Sequence, residues 1–222
     1  MKYLWLVIVL IIVIIIVFNL ELLRRKTTVE LNKILYINNN YNLYFQLLKN
    51  KKLKLIYMQS TIMMFELDGY LMQGNNEETE KLFDLLDNAI LTKGEKLDLN
   101  QKKLSFYCQK KNDVKAKEAY EKISDLLKKS KNKDLIDECK IVYGVYILHD
   151  KSLKELLLNK IKNVHNQNTG LEYYRLAKLE YYDSNNQKAK EYLEIASKQL
   201  INTSWADICN KCLNNLDNLD KY

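Results

Sequence analysis

Not one proline interrupts the 222 residues of this chain, and only five glycines punctuate it. Strand-and-turn architectures lean on both residues to reverse the backbone, so a chain of this length without them folds as helices joined by short connections. The sequence therefore predicts an all-α protein, long enough to bury a substantial core.

Charge narrows the function classes little. The formal +7 comes from 35 basic against 28 acidic residues, and both signs alternate along most segments, as on an ordinary solvated helix surface. The densest basic run, "KKSKNK" at Lys128 to Lys133, lies where one helical pattern ends and the next begins. Cations there complement the negative end of a helix dipole. Without a glycine-rich phosphate loop or a recognition motif beside it, the run is read that way, and no nucleic-acid partner is expected. The richness in Lys, Asn, Ile and Tyr fits codon bias in an AT-rich genome and carries no functional weight.

From Tyr3 to Phe18, "YLWLVIVLIIVIIIVF" contains no charge and no helix breaker. At about 1.5 Å per residue this stretch spans roughly 24 Å, and Asn19 to Leu23 extend it to the thickness of a bilayer core. Tyr3 and Trp5 suit one interface, and Arg24, Arg25 and Lys26 flank the other. No small-residue cleavage site and no lipidation cysteine follows, so residues 1–26 read as an uncleaved single-pass cell-membrane anchor in contact with lipid. The basic flank outweighs Lys2 and the α-amine by one charge, which places the C-terminal part on the cytoplasmic side. Cys108, Cys139, Cys209 and Cys212 sit within apolar helical patterns, consistent with reduced core thiols.

Past the anchor, apolar residues recur at three- and four-residue intervals in runs separated by short polar breaks: "NNN", "GNNEE", "KKND", "HDKS", "NQNTG" and "DSNNQ". Breaks this short force consecutive amphipathic helices into antiparallel hairpins. The second helices share a spacing. Thr79, Phe83 and Leu86 match Ala116, Tyr120 and Ile123, which match Ala189, Leu193 and Ala196. The first interval is 37 residues (116 − 79) and the second 73 (189 − 116), close to twice as long. A degenerate unit therefore lies between the last two copies, with "VYGVYILHD" at Val142 to Asp150 as its first helix and "SLKELLLNKI" at Ser152 to Ile161 as its second.

On these residues the chain resembles the tetratricopeptide repeat family, a helix–turn–helix unit of about 34 residues. In the last unit Tyr173, Leu176 and Ala177 fit the family's first-helix pattern; Met63, Tyr70 and Gly74 fit in the unit beginning near Ser60, with Leu67 where a small residue is usual. Gly144 supplies the small residue of the degenerate unit. The family's frequent terminal proline is missing throughout, which leaves a neighbouring class of helical hairpin repeat open. The resemblance implies an α-solenoid of antiparallel hairpins over residues 54–202. A divergent helical hairpin at residues 27–53 precedes it. Residues 203–222 form a capping helix from Thr203 to Leu219 and a tail, with Thr203 or Ser204 at its start and Asp207 in its first turn.

Chemistry is sparse. "CNKC" at Cys209 to Cys212 lacks a second cysteine or histidine pair to complete a metal site, and it falls in the apolar stripe Trp205, Ile208, Cys209, Cys212, Leu213 and Leu216. His149 and His165 fall at hairpin loops and read as exposed loop residues. No metal site, cofactor or catalytic residue is expected, and the protein is not expected to be an enzyme. The resemblance implies a binding groove lined by exposed positions of the first helices: Tyr174, Lys178 and Tyr181 in the last unit, Gln101 and Ser105 in an earlier one. Tyr173 and Tyr182 remain core candidates. The expected function is a membrane-tethered scaffold holding a protein or peptide partner. The alternative is a self-associating, homo-oligomeric subunit of an envelope or division-type assembly.

Overall fold

The computed structural model describes residues 3–128, 132–163, 169–201 and 203–222, and every regular element among them is helical. The chain divides into two units, Met1–Leu99 and Asn100–Tyr222.

In the first unit, α1 (Leu4–Asn32) carries the apolar run. From Trp5 to Phe18 its side chains are all 46–63% exposed. Even exposure around the whole circumference distinguishes it from an amphipathic helix, which hides one face. The helix is long and apolar enough to cross a membrane, and none of that stretch is buried inside the protein. With no breaker after Phe18, α1 runs on to Asn32 and into one π-helical turn, Lys33–Ile37. The hairpin expected over residues 27–53 thus begins as a continuation of α1. It is followed by the short α2 (Tyr41–Leu48) and α3 (Lys51–Ile56), then α4 (Gln59–Gln73) and α5 (Asn76–Asp87).

A small core of Leu31, Ile34, Leu35, Tyr44, Leu48 and Leu53 welds the foot of α1 to α2 and α3. The Tyr57 hydroxyl donates to the Arg24 carbonyl at 2.6 Å, and Arg24 Nε donates to the Ile56 carbonyl at 2.6 Å. Leu67, in the place of a small residue, is fully buried. The close approach on α4 occurs two residues later, at Gly69, where a Cβ would stand 2.6 Å from Phe45 Cζ.

The boundary between the units falls within α6 (Lys93–Gln109). The second unit continues with α7 (Asp113–Leu127), α8 (Lys133–Tyr143) with a π-helical extension Gly144–Leu148, and α9 (Leu153–Asn163). Then come α10 (Gly170–Tyr182), α11 (Asn186–Gln199), α12 (Ser204–Asn214) and α13 (Asn218–Lys221). Consecutive helices pack as pairs: α7 with α8, α9 with α10, α10 with α11, α11 with α12.

The spaced triplets form the buried seams of their helices. Thr79, Phe83 and Leu86, Ala116 and Ile123, and Ala189, Leu193 and Ala196 are all buried, while Tyr120 is half-buried and stacks on Tyr143 at 4.7 Å. The turns recur at the same intervals. Gly74, Lys111 and Ser184 adopt left-handed backbone (φ 68°, 52° and 60°), at separations of 37 (111 − 74) and 73 (184 − 111) residues. Each is followed by an asparagine, Asn75, Asn112 or Asn185, whose side chain caps the next helix. The backbone N–H of each asparagine closes the preceding helix, bonding to the Tyr70, Tyr107 or Glu180 carbonyl. Where the π-helical turn after α8 meets α9, the close approach falls at Gly144, where a Cβ would run into Leu153 Cδ1.

Three expectations are corrected. The terminal helix is not continuous to Leu219. It stops at Asn215, whose backbone is extended and whose side chain accepts from the Asp217 N–H at 3.0 Å, and α13 then turns back to bury Leu219 completely. Thr203 stands at the N-cap position, but its hydroxyl donates back to the Leu200 carbonyl at 2.6 Å. His149 is not a free loop side chain: it takes a left-handed backbone (φ 51°), is half-buried and stacks on Tyr182 at 3.6 Å. His165 and Lys129 to Lys131 of the basic run lie outside the described residues.

Candidate functional site

The second unit is organised around α10. From Tyr174 to Glu180 every residue is buried, because α9, α11, α13 and the π-helical turn all pack against it. The resemblance to the tetratricopeptide repeat family implies exposed groove positions at Tyr174 and Lys178, and tyrosine and charged residues on a helix ordinarily mark its wet face. The structure overturns that exposure: Tyr174 is 0% and Lys178 2% exposed. The apolar stripe of α12 and Leu219 of α13 need a surface to cover, and α10 and α11 provide it. Tyr174 meets Trp205 edge-on at 5.1 Å, and Tyr174, Ala177, Cys209, Cys212 and Leu219 share one core cluster. The Cys209 thiol is pushed up to about 11 by burial, and burial raises Cys212 as well. Both therefore stay protonated and pack as small apolar groups.

The buried charges of α10 are each answered. Lys178 Nζ donates to the Leu219 carbonyl and faces the rings of Tyr146 and Tyr182 at 5.3 and 5.6 Å. Burial drives its pKa down to about 8. Glu180 pairs with Lys154 at 3.0 Å. Arg175 Nη2 donates to Glu138 at 2.6 Å, and the same carboxylate accepts from Lys160 at 2.9 Å. Burial alone would raise the Glu138 pKa, but the Arg175 and Lys160 charges outweigh it and hold the carboxyl below its usual range.

Tyr181 is half-buried and donates to Asp217 at 3.0 Å, so it too is engaged by the C-terminal segment. Next to it the Tyr182 hydroxyl donates to Asp220 at 3.1 Å, and Lys111 pairs with Asp220 at 2.6 Å. The structure thus brings Tyr174, Lys178 and Tyr181 together, but beneath or beside α13. A signal in the sequence could have revealed this. Five residues of the apolar stripe, Trp205, Ile208, Cys209, Cys212 and Leu213, lie on α12 and demand a partner face, and the neighbouring hairpin is the nearest source of one.

An open cavity of about 360 Å³ lies among α6, α8 and its extension, α10, α12 and the C-terminal residues. Exposed Ser105 lines it with Gln109, while Gln101, one turn earlier on α6, is half-buried and outside the lining. Val142, Leu171, Trp205 and Ile208 form apolar walls, and Tyr146, Arg175, Lys221 and Tyr222 contribute polar groups. Arg175 is the residue that sequence patterning missed. Its side chain is 5% exposed, and its Nε and Nη1 have no hydrogen-bond acceptor. Leaving such donors dry costs on the order of 1–3 kcal/mol.

At the other end of the chain, Arg25 pairs with Glu21 at 3.2 Å on the surface of α1, Lys26 is exposed, and Arg24 makes the bond to Ile56 already described. Among the described residues no group of three or more His, Cys, Asp or Glu side chains could hold a metal ion.

No family model, no curated protein and no solved structure matches the chain.

Proposed function

We propose that the protein is a single-pass cell-membrane scaffold, anchored by α1, whose C-terminal part is a degenerate array of tetratricopeptide-like hairpins on the cytoplasmic side. Its groove holds a peptide segment or partner protein, and no catalytic step is assigned to it. The observation that carries this reading is the open cavity among α6, α8, α10 and α12. Second-helix triplets seal the hairpin seams while the first helices keep polar positions such as Ser105 open to the surface. Stacked hairpins build binding surfaces in this way, without reactive groups. The 37- and 73-residue recurrence of the left-handed turn and its capping asparagine further supports a repeat origin.

Since α12 and α13 cover Tyr174 and Lys178, the groove offered to a partner is the strip from Ser105 and Gln109 to Trp205. A photo-crosslinking residue placed at Ser105 of the full chain in cells is expected to capture a discrete partner band. The same residue at exposed Lys117 on α7 is the control. Equal capture at both positions would refute the groove. A reporter fused after Tyr222 tests the orientation, and extracytoplasmic activity would overturn it.

A further inference from the structure

We infer that the foot of the first unit makes a second membrane contact: residues 49–58 lie on the headgroup layer of the bilayer that α1 crosses, with Leu55 and Met58 dipping into it and the surrounding lysines on anionic lipid. The inference rests on α1 spanning the bilayer, as proposed above, and is independent of the groove in the second unit.

Three observations carry it. First, hydrogen bonds fix the height of this segment. The basic flank begins at Arg24, where the chain leaves the hydrocarbon. Arg24 Nε donates to the Ile56 carbonyl and the Tyr57 hydroxyl donates to the Arg24 carbonyl, both at 2.6 Å, and the hydroxyls of Tyr57 and Thr28 are 2.8 Å apart. Arg24 to Thr28 climbs about 6 Å along the helix axis, within the roughly 5–8 Å that headgroups occupy on each side of the hydrocarbon core. Ile56 and Tyr57 are thereby held at headgroup depth. Second, bare apolar side chains stand at that spot. Leu55 is 84% and Met58 62% exposed, on either side of Ile56 and Tyr57, whereas Leu53 of the same short helix is buried in the core. Apolar side chains among lysine stems suit the boundary between acyl chains and headgroups. Third, the first unit is polarised in charge. Glu21 to Met58 holds eight basic and two acidic residues, a net of +6 (8 − 2), and Gln59 to Leu99 holds three basic and nine acidic, a net of −6 (3 − 9). The basic part is the part tied to Arg24, and its Lys49, Lys51, Lys52 and Lys54 are all exposed. One carboxylate, Glu66, acts through space on Lys49 and Lys54, too little to cancel an excess of six. Such an excess beside a span is drawn to anionic headgroups, and the height set by Arg24 makes the bilayer the nearest surface able to cover Leu55 and Met58.

The native Cys108, Cys139, Cys209 and Cys212 are all 5% exposed or less, so a polarity-sensitive maleimide dye attaches to a single introduced cysteine. Full-length Leu55→Cys, Met58→Cys, Ile12→Cys and, as an exposed control on α5, Leu85→Cys are labelled and reconstituted in phosphatidylcholine vesicles with or without phosphatidylglycerol. Lipids spin-labelled near the headgroup or near the chain end serve as shallow and deep quenchers. The dyes replacing Leu55 and Met58 are expected to emit to the blue and to be quenched by the shallow label several-fold more than the dye replacing Leu85, most strongly with phosphatidylglycerol present. Lys51→Gln, Lys52→Gln and Lys54→Gln together, all at exposed sites, are expected to remove the phosphatidylglycerol dependence with helicity unchanged, since each lysine near an anionic surface shifts docking about fivefold. No deep quenching of the dye replacing Ile12 would remove the spanning reading and this contact with it. Deep quenching there, with the dyes replacing Leu55 and Met58 quenched no more than that replacing Leu85, would overturn this contact alone. Blue emission in place of Leu55 that neither label quenches would also overturn it, placing a protein surface, such as a second copy, on the patch. Shallow quenching that is the same with and without phosphatidylglycerol would overturn the assignment to anionic lipid.

Discussion

The ammonium of Lys178 is buried against the backbone carbonyl of Leu219, so a helix expected to face a partner instead holds the returning end of its own chain. Its pKa lies near 8, below the ordinary 10.5, because burial penalises the charge. Below pH 8 the native and unfolded lysines are both protonated and the full cost is present. Between pH 8 and 10.5 the native lysine sheds its proton first, and stability climbs by about 3 kcal/mol. Urea unfolding followed by Trp205 fluorescence should show that climb in the native protein relative to Lys178→Met. Parallel pH profiles in the two proteins would exclude Lys178 as the source.

The hold of α13 on α10 comes from packing rather than charge. Leu219 is completely buried, and Leu219→Ala should cost about 2–4 kcal/mol. Asp220→Asn removes the ion pair with Lys111, whose side chains are 50% and 47% exposed, and should cost less than about 1 kcal/mol. The two unfolding midpoints compare these costs directly.

Gly144 is irreplaceable only as long as Leu153 keeps its full length. Gly144→Ala should destabilise by about 1–3 kcal/mol, since its Cβ meets Leu153 Cδ1. Leu153→Val removes that methyl, so the double variant should be more stable than the sum of the single costs predicts, by about 1 kcal/mol. Additive costs would mean that the crossing is not limited by this contact.

Asn185 and Asn186 are neighbours with different duties. Asn185→Ala strips the cap from α11 and should cost about 1 kcal/mol, whereas exposed Asn186→Ala should be nearly silent. Thermal melts of the two variants test the repeated turn.

If α1 spans the bilayer, arginines at Ile11 and Ile12 together should oppose insertion by about 6 kcal/mol. The expected result is a shift of full-length protein from the carbonate-resistant membrane fraction to the soluble or aggregated one. Unchanged fractionation would argue against a spanning helix.

The helical class was legible because the absence of proline and the three- and four-residue apolar periods act locally. The seams were legible too, since Ala116, Ile123, Ala189, Leu193 and Ala196 repeat at fixed spacing and all are buried. The surroundings of α10 were not. Amphipathic patterning assigns one dry face per helix, and a helix enclosed on every side breaks that assumption while keeping its polar residues, each with its own partner: Lys178 with Leu219, Glu180 with Lys154, Arg175 with Glu138. Nor could spacing show that α12 would break at Asn215, because the break is made by a side-chain turn and repaid by burying Leu219 forty-one residues from Lys178. The recurring turns were readable only as polar breaks, although the asparagine in each carried the information.

The unbroken run of α1 into its π-helical turn, locked at its base by Arg24, Ile56 and Tyr57, leaves the first unit without a swivel. Mechanically it is a lever with a welded foot: a tilt or rotation of α1 must carry α2 and α3 with it, and a load on those helices must return along the same rod.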